Sequence, residues 1–319
     1  MPDTVLGIDT SCYTTSAALV SGGRIINSQR RLLEVDVGER GLRQSEGVFR
    51  HMRALPELLE ELLGNAYDER ISAVCASSRP RPEDDSYMPV FMVGASFARS
   101  IGACLGVPVY YTSHQQGHVR AALVDTDMPA GKFLALHLSG GTTQLLLVNE
   151  NLDIRTLGGT NDLNAGQLVD RTGVYMGLRF PCGPELEKLA LCGKSASLIP
   201  VSQSGDTCSF SGAENKIKQL LAGGCDKCDV AAEVYSFLAR TIARMISRAV
   251  SDIGVKHVLL AGGVASSGLL RRLLPLRLNK LASDVALHWA RSELSGDNAC
   301  GCALIGEEMF MRGKYGDNN

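Results

Sequence analysis

The chain lacks any imbalance of charge: 32 Lys and Arg stand against 34 Asp and Glu, a formal net charge of −2 at pH 7. No global field draws it onto nucleic acid or an anionic membrane, so any RNA contact must be local or shared with a partner. Long hydrophobic stretches are missing too. The longest apolar runs are strand-length, well short of the ~20 residues that span a bilayer, and a core strand starts almost at once without a signal-peptide pattern. These features predict a cytoplasmic protein. Ten cysteines are scattered without paired spacing, as reduced small hydrophobes are, which excludes a disulfide framework. The one CxxC, Cys225-Asp-Lys-Cys228, has no second pair to complete a zinc site, so it reads as a structural loop. Neither HExxH nor a Ser/His/Asp or Cys/His arrangement is visible, which leaves a peptidase without support.

What the chain does contain is a repeat. The segment from Val5 to Val20 aligns in register with that from Phe133 to Val148, an offset of 128 residues that sets Ser11 on Ser139 and Thr14-Thr15 on Thr142-Thr143. Each copy reads as a β-hairpin whose turn offers backbone N–H groups and small hydroxyls, able to hold an anion. The repetition continues. In the first half a helical pattern over about 46–63 precedes the strand Ile71 to Ala76, a helix from about Val90 and the strand Val107 to Tyr111. In the second, a helix from about Val230 to Ile253 precedes Lys256 to Ala261, a helix from about Ser267 and the strand Val285 to Trp289. The second copy carries about 57 extra residues between Val148 and Val230, where substrate recognition is expected. With 319 residues and 45% apolar content, two α/β cores can be buried. The division expected is 1–128 for a first lobe, 129–297 for a second with an insertion at about 150–229, and 298–319 for a C-terminal helix returning to the first lobe.

The sharpest chemical pattern is His114-Gln-Gln-Gly-His118, directly after a parallel strand. Histidines four apart on a helix share a face, so two imidazoles can reach one metal; an N-terminal capping turn is the plainer alternative. Open α/β sheets place ligands at the carboxyl ends of such strands, which favours the metal. Asp297, before the last helix, is the candidate third ligand or simply its N-cap. A strand also runs through Gly262-Gly263 into a helix, a turn that can support adenosine. Arg240, Arg244 and Arg248 fall on one helix face, open to an RNA-guiding or an ordinary solvated reading.

With these residues assembled, the chain resembles the TsaD/Gcp family, tRNA N6-adenosine threonylcarbamoyltransferases once described as glycoproteases. The similarity runs from Gly7 to about Gly306 and rests on Gly7-Ile-Asp-Thr-Ser-Cys12, His114-Gln-Gln-Gly-His118, Leu138-Ser-Gly-Gly141, Pro181-Cys-Gly-Pro184, Ser209-Phe-Ser-Gly212, Ala261-Gly-Gly-Val264 and Asp297-Asn298. The resemblance implies the duplicated α/β fold of actin, hexokinase-type sugar kinases and heat-shock ATPases, two similar lobes around a cleft. It implies that His114, His118 and Asp297 bind one divalent metal ion, iron, zinc or magnesium. It further implies that His137, Leu138, Ser139, Gly140, Gly141, Asp170, Gly183 and Ser267 line a pocket for threonylcarbamoyl-AMP, an ATP-derived adenylate. The acyl transfer it implies passes a threonylcarbamoyl group to an adenosine of tRNA, with TsaB-like partner proteins.

Several positions depart from the family pattern. Tyr13-Thr14 stands where Asp-Glu is usual, Thr142 where His is, Gln167 where Glu is, Ser267 where Asn is, and Glu214 near the place of a Lys. A Gly-Pro-Gly loop is replaced by Arg79-Pro-Arg-Pro-Glu-Asp-Asp85, whose two cations either fork onto a phosphate or pair with the acids beside them. Two alternatives follow: a paralogue that transfers a carbamoyl-type group to another acceptor, or a non-catalytic partner subunit. For the latter, Val48, Met52, Leu55, Leu59 and Leu62 have the spacing of a helix–helix seam, which self-packing also explains.

Overall fold

The structure is a computed structural model and describes residues 3–34, 42–64 and 70–316. These form two compact units, residues 1–124 with 296–319, and residues 125–295.

In the first unit β1 (Thr4–Thr10), β2 (Thr14–Ser21) and β3 (Arg24–Leu32) form an antiparallel meander. α1 (Gln44–Gly64) leads to β4 (Ile71–Arg79), parallel to β1; α2 (Pro89–Leu105) leads to β5 (Val109–Ser113), parallel to β4; α3 (His114–Ala122) follows directly. The sheet order is β3-β2-β1-β4-β5. Every residue of β1 and β2 is buried, whereas β3 alternates between exposed and half-buried positions. An edge strand with one wet face carries polar residues on alternate positions. Sequence periodicity therefore missed it.

The second unit begins with the corresponding meander of β6 (Phe133–Leu138), β7 (Thr143–Val148) and β8 (Ile154–Thr160). Then come α4 (Ala165–Tyr175), α5 (Gly183–Cys192), β9 (Ser202–Ser204), β10 (Thr207–Ser209) and α6 (Ser211–Ala222). The long α7 (Lys227–Ile253), β11 (His257–Ala261), α8 (Gly268–Leu278) and β12 (Ala286–Trp289) restore the repeated pattern. The sheet order is β12-β11-β6-β7-β8-β10-β9. Its β8-β7-β6-β11-β12 portion has the order of the first sheet, so the sequence repeat is a fold repeat. The expected insertion supplies α4, α5, β9, β10 and α6.

The last helix, α9 (Cys300–Gly316), belongs to the first unit, where it packs on β1, β4 and α3. The α3 contact is backbone to backbone: a Cβ on Gly301 would lie 1.8 Å from the Gly117 carbonyl oxygen. Only glycine permits that approach.

Leu55, Leu59 and Leu62 of the expected seam are buried in the first unit's own core, while Phe49 and Met52 remain exposed on α1. The arginine line on α7 is broken. Arg240 turns inward to the buried Glu233 (3.0 Å) and Arg248 pairs with Asp252 (2.7 Å). At the CxxC, Asp226 caps α7 by accepting from Cys228 N (2.8 Å) and Asp229 N (3.3 Å). No helix among the described residues is long and apolar enough to cross a membrane.

Candidate metal centre and ligand cavity

α3 starts where β5 ends because Ser113 forms a capping box: its Oγ accepts from Gln116 N (3.2 Å), and Gln116 Oε1 accepts from Ser113 N (3.1 Å). The cap fixes the first helical turn and sets His114 and His118 on one face. Their Nε2 atoms lie 3.0 Å apart, and the rings meet edge to face. The Gly117–Gly301 approach then brings Asp297 within reach. Its Oδ1 lies 3.1 Å from His118 Nε2 and 3.7 Å from His114 Nε2. The capping acceptor at the start of α9 is Asn298, which takes Cys300 N (3.0 Å), so Asp297 is left for the histidines.

Two imidazoles and a carboxylate offer ligand atoms all within 4.8 Å of one another, and no other such group occurs among the described residues. Mixed nitrogen and oxygen donors suit zinc and iron. The local electrostatics favour a cation as well. Burial opposes the His114 imidazolium, yet the Asp9 carboxylate at 2.9 Å, with Asp297 beyond, pushes its pKa up to about 9. Burial would raise the Asp297 carboxyl, but His118, His114 and Ser11 hold it well below the usual carboxylate range. Cys12, close by, is shifted up by burial and by Asp297 and Asp9, so it stays a thiol and not a nucleophile. The residues fit an ion.

The second unit holds a cavity of about 310 Å³. Gly140, Asp170, Gly183, Gly263 and Ser267 line it, joined by Glu187 and Tyr235, which the sequence reading did not pick out. Tyr235 donates to the Gly183 carbonyl (3.1 Å) and Glu187 Oε1 accepts from Leu269 N (2.6 Å). Only their places on amphipathic helices mark them in sequence, and every helix gives that signal. Asp170 accepts from Cys182 N (2.8 Å), and burial raises its pKa. His137, Leu138, Ser139, Gly141 and Gly262 lie outside the lining. Leu138 is in the core, Ser139 ties the β6–β7 turn by accepting from Thr142 N (3.0 Å), and His137 of β6 pairs with Ala261 of β11. Gly262, at φ +97°, packs against the Leu138 carbonyl.

A family model described as TsaD, tRNA N6-adenosine threonylcarbamoyltransferase, matches residues 46–303. A protein named tRNA N6-adenosine threonylcarbamoyltransferase, from Thermus thermophilus, is 34% identical, covering 97% of this chain and 94% of its own. The chain belongs to the TsaD family. Among solved structures, the ROK hexokinase from Thermus thermophilus superposes with a TM-score of 0.55 at 17% identity, covering 97% of this chain and 99% of that one. Full-length HypF in its phosphate- and nucleotide-bound form gives 0.60 at 11% identity, covering 97% of this chain and 56% of that one. These likenesses establish the hexokinase and actin type of ATPase fold for this TsaD relative.

The departures from the TsaD pattern have structural occupations. Gln167 Oε1 accepts from Asn164 N (2.9 Å) at the start of α4, and Ser267 Oγ accepts from Leu270 N (3.1 Å) at the start of α8. Glu214 is an anchor between α4 and α6, bound by Tyr175, Arg171 (3.1 Å) and Lys218 (3.1 Å). Arg79 clips its own loop by donating to the Glu83 carbonyl (3.3 Å) and Asp84 (3.2 Å). That loop abuts α3, where Gln115 N donates to the Pro80 carbonyl (3.0 Å).

Proposed function

We propose that this chain is a metal-dependent acyltransferase that passes a threonylcarbamoyl group from threonylcarbamoyl-AMP to a tRNA adenosine, working with TsaB-like partners that meet the exposed Phe49 and Met52 of α1. The observation that carries this reading is the convergence of His114, His118 and Asp297 in a chain of this family. These three residues would hold the divalent ion. When bound, it withdraws charge from a phosphate oxygen.

The cavity of the second unit takes the adenosine part of the adenylate. There Asp170 accepts from sugar hydroxyls, the Tyr235 hydroxyl fixes the Gly183 wall, and Gly263, with no side chain, lets the ligand pack closely on the backbone before α8. Attack by the adenosine N6 on the carbamoyl carbon forms the C–N bond and breaks the C–O bond to the phosphate, so that AMP leaves and the N6 proton passes to it or to water, and no protein nucleophile takes part. His114 and Asp297 act by charge and position.

The test supplies purified protein, its TsaB-like partners, labelled threonylcarbamoyl-AMP and unmodified tRNA. Label should enter tRNA, and His114→Ala should abolish it. A second reading draws on the Arg79-to-Asp85 loop beside α3: a carbamoyl-type group goes to another acceptor. AMP release without label in tRNA would favour it. A chain with neither activity nor bound ion would be a non-catalytic partner.

A further inference from the structure

Asp9 lies on β1, the central strand of the first sheet, and is 1% exposed among neighbours that are all buried. A carboxylate there is costly unless fully partnered, and an apolar residue would serve the sheet better. Its partners are specific. Oδ1 accepts from Ser77 Oγ of β4, and Oδ2 lies 2.9 Å from His114 Nδ1. An ionised carboxylate only accepts, so Nδ1 must carry the proton between them. With Nδ1 engaged by Asp9, Nε2 is the ring atom left to hold an ion, and it faces His118 and Asp297. Phe91, buried and with its ring centroid 5.5 Å from that of His114, blocks one side of the ring.

We propose that Asp9, held by Ser77, is the positioning residue of this site: it selects the Nδ1–H tautomer of His114, fixes the ring, and so sets the affinity for the ion. The inference rests on the metal-centre reading above and deepens it. Asp9 touches neither substrate nor ion. Carboxylates behind metal-binding histidines act in this way, and losing one typically weakens metal affinity about 10–100-fold.

The experiment titrates the full-length protein with Zn²⁺ against a chromophoric chelator and records histidine-selective ¹⁵N spectra of the zinc-loaded form. Wild type should bind zinc, His114→Ala should not, and Asp9→Asn should bind about 10–100-fold more weakly. The zinc-loaded His114 should show an Nδ1–H signal with the shift of a hydrogen bond to a carboxylate in wild type, and that shift should be lost in Asp9→Asn. If Asp9→Asn fails to fold, Ser77→Ala, which only frees the Asp9 carboxylate, should still weaken zinc several-fold. Wild type without affinity for zinc, or a His114→Ala protein that binds as wild type does, would overturn the metal centre itself. Zinc lost with His114→Ala but held within twofold by Asp9→Asn and Ser77→Ala, or a zinc-loaded His114 without the Nδ1 proton, would sink the role of Asp9 alone.

Discussion

The two repeated turns have the same skeleton and different employment. Ser11 N donates to the Thr14 carbonyl (3.0 Å) as Ser139 N does to that of Thr142 (2.8 Å), and Ser11 Oγ accepts from Thr14 N (3.2 Å) as Ser139 Oγ does from Thr142 N (3.0 Å). The first turn is tied to distant segments. Ser11 Oγ donates to Asp297 Oδ2 (2.5 Å), and His51 Nε2 donates to the Ser11 carbonyl (2.8 Å). The second leaves Gly140 and Gly141 exposed, with Gly166 of α4 pressed behind it. One copy of the turn braces a charged centre, and the other stays open at the edge of the second unit's cavity.

Breaking the first unit's brace should have the largest effect. Gly301→Ala sets a Cβ 1.8 Å from the Gly117 carbonyl oxygen and must part α3 from α9. A stability loss of about 3 kcal/mol is expected by denaturant titration, together with loss of zinc binding. Gly166→Ala is the counterpart, its Cβ 2.5 Å from Gly140 N. It should cost about 1–3 kcal/mol and weaken adenine-nucleotide binding by calorimetry while zinc affinity holds. Equal damage to both ligands from either change would refute the separate employment of the two turns.

The paired serines sharpen the same contrast more gently. Ser11→Ala removes a donor to a charged carboxylate, a loss of about 1.5–3 kcal/mol, whereas Ser139→Ala removes neutral turn bonds at about 1 kcal/mol. Thermal denaturation of the two variants should rank them in that order.

How far sequence reached depended on whether a residue's job lay in its neighbours along the chain or in a distant segment. The 128-residue offset and the His114–His118 spacing are local patterns, and the two sheets share the strand order that the repeat implies. Asp9 was also visible in principle, as one charge in an otherwise apolar strand, but its partners arrive from Ser77 and His114. Gln167 and Ser267 looked like losses at a substrate site because their work as helix caps depends on where α4 and α8 begin. Arg240 matched a surface line until the burial of Glu233 gave it an inward partner.

His51 supplies the subtlest distinction. It is buried on α1, where Nε2–H holds the Ser11 carbonyl and Nδ1 accepts from Thr15 Oγ1 (2.7 Å), so both ring nitrogens are used by the neutral form. In the second turn the corresponding Thr143 Oγ1 accepts from a backbone amide, Ala165 N (2.8 Å), which does not titrate. Burial depresses the His51 pKa, with the Ser11 carbonyl and Asp9 pulling the other way. The unfolded chain therefore takes up this proton at a higher pH than the folded one. The contribution of His51 is complete above the unfolded value of about 6.5 and is lost as pH falls from there towards the folded value. One proton limits the slope to about 1.4 kcal/mol per pH unit. His51→Gln keeps a donor for Ser11 and removes the titration, so the difference between its stability profile and that of wild type isolates this proton from every other histidine. Wild type should lose its margin over the variant as pH falls below about 6.5; a difference that stays flat with pH would mean that His51 is as indifferent to protons as Ala165 N.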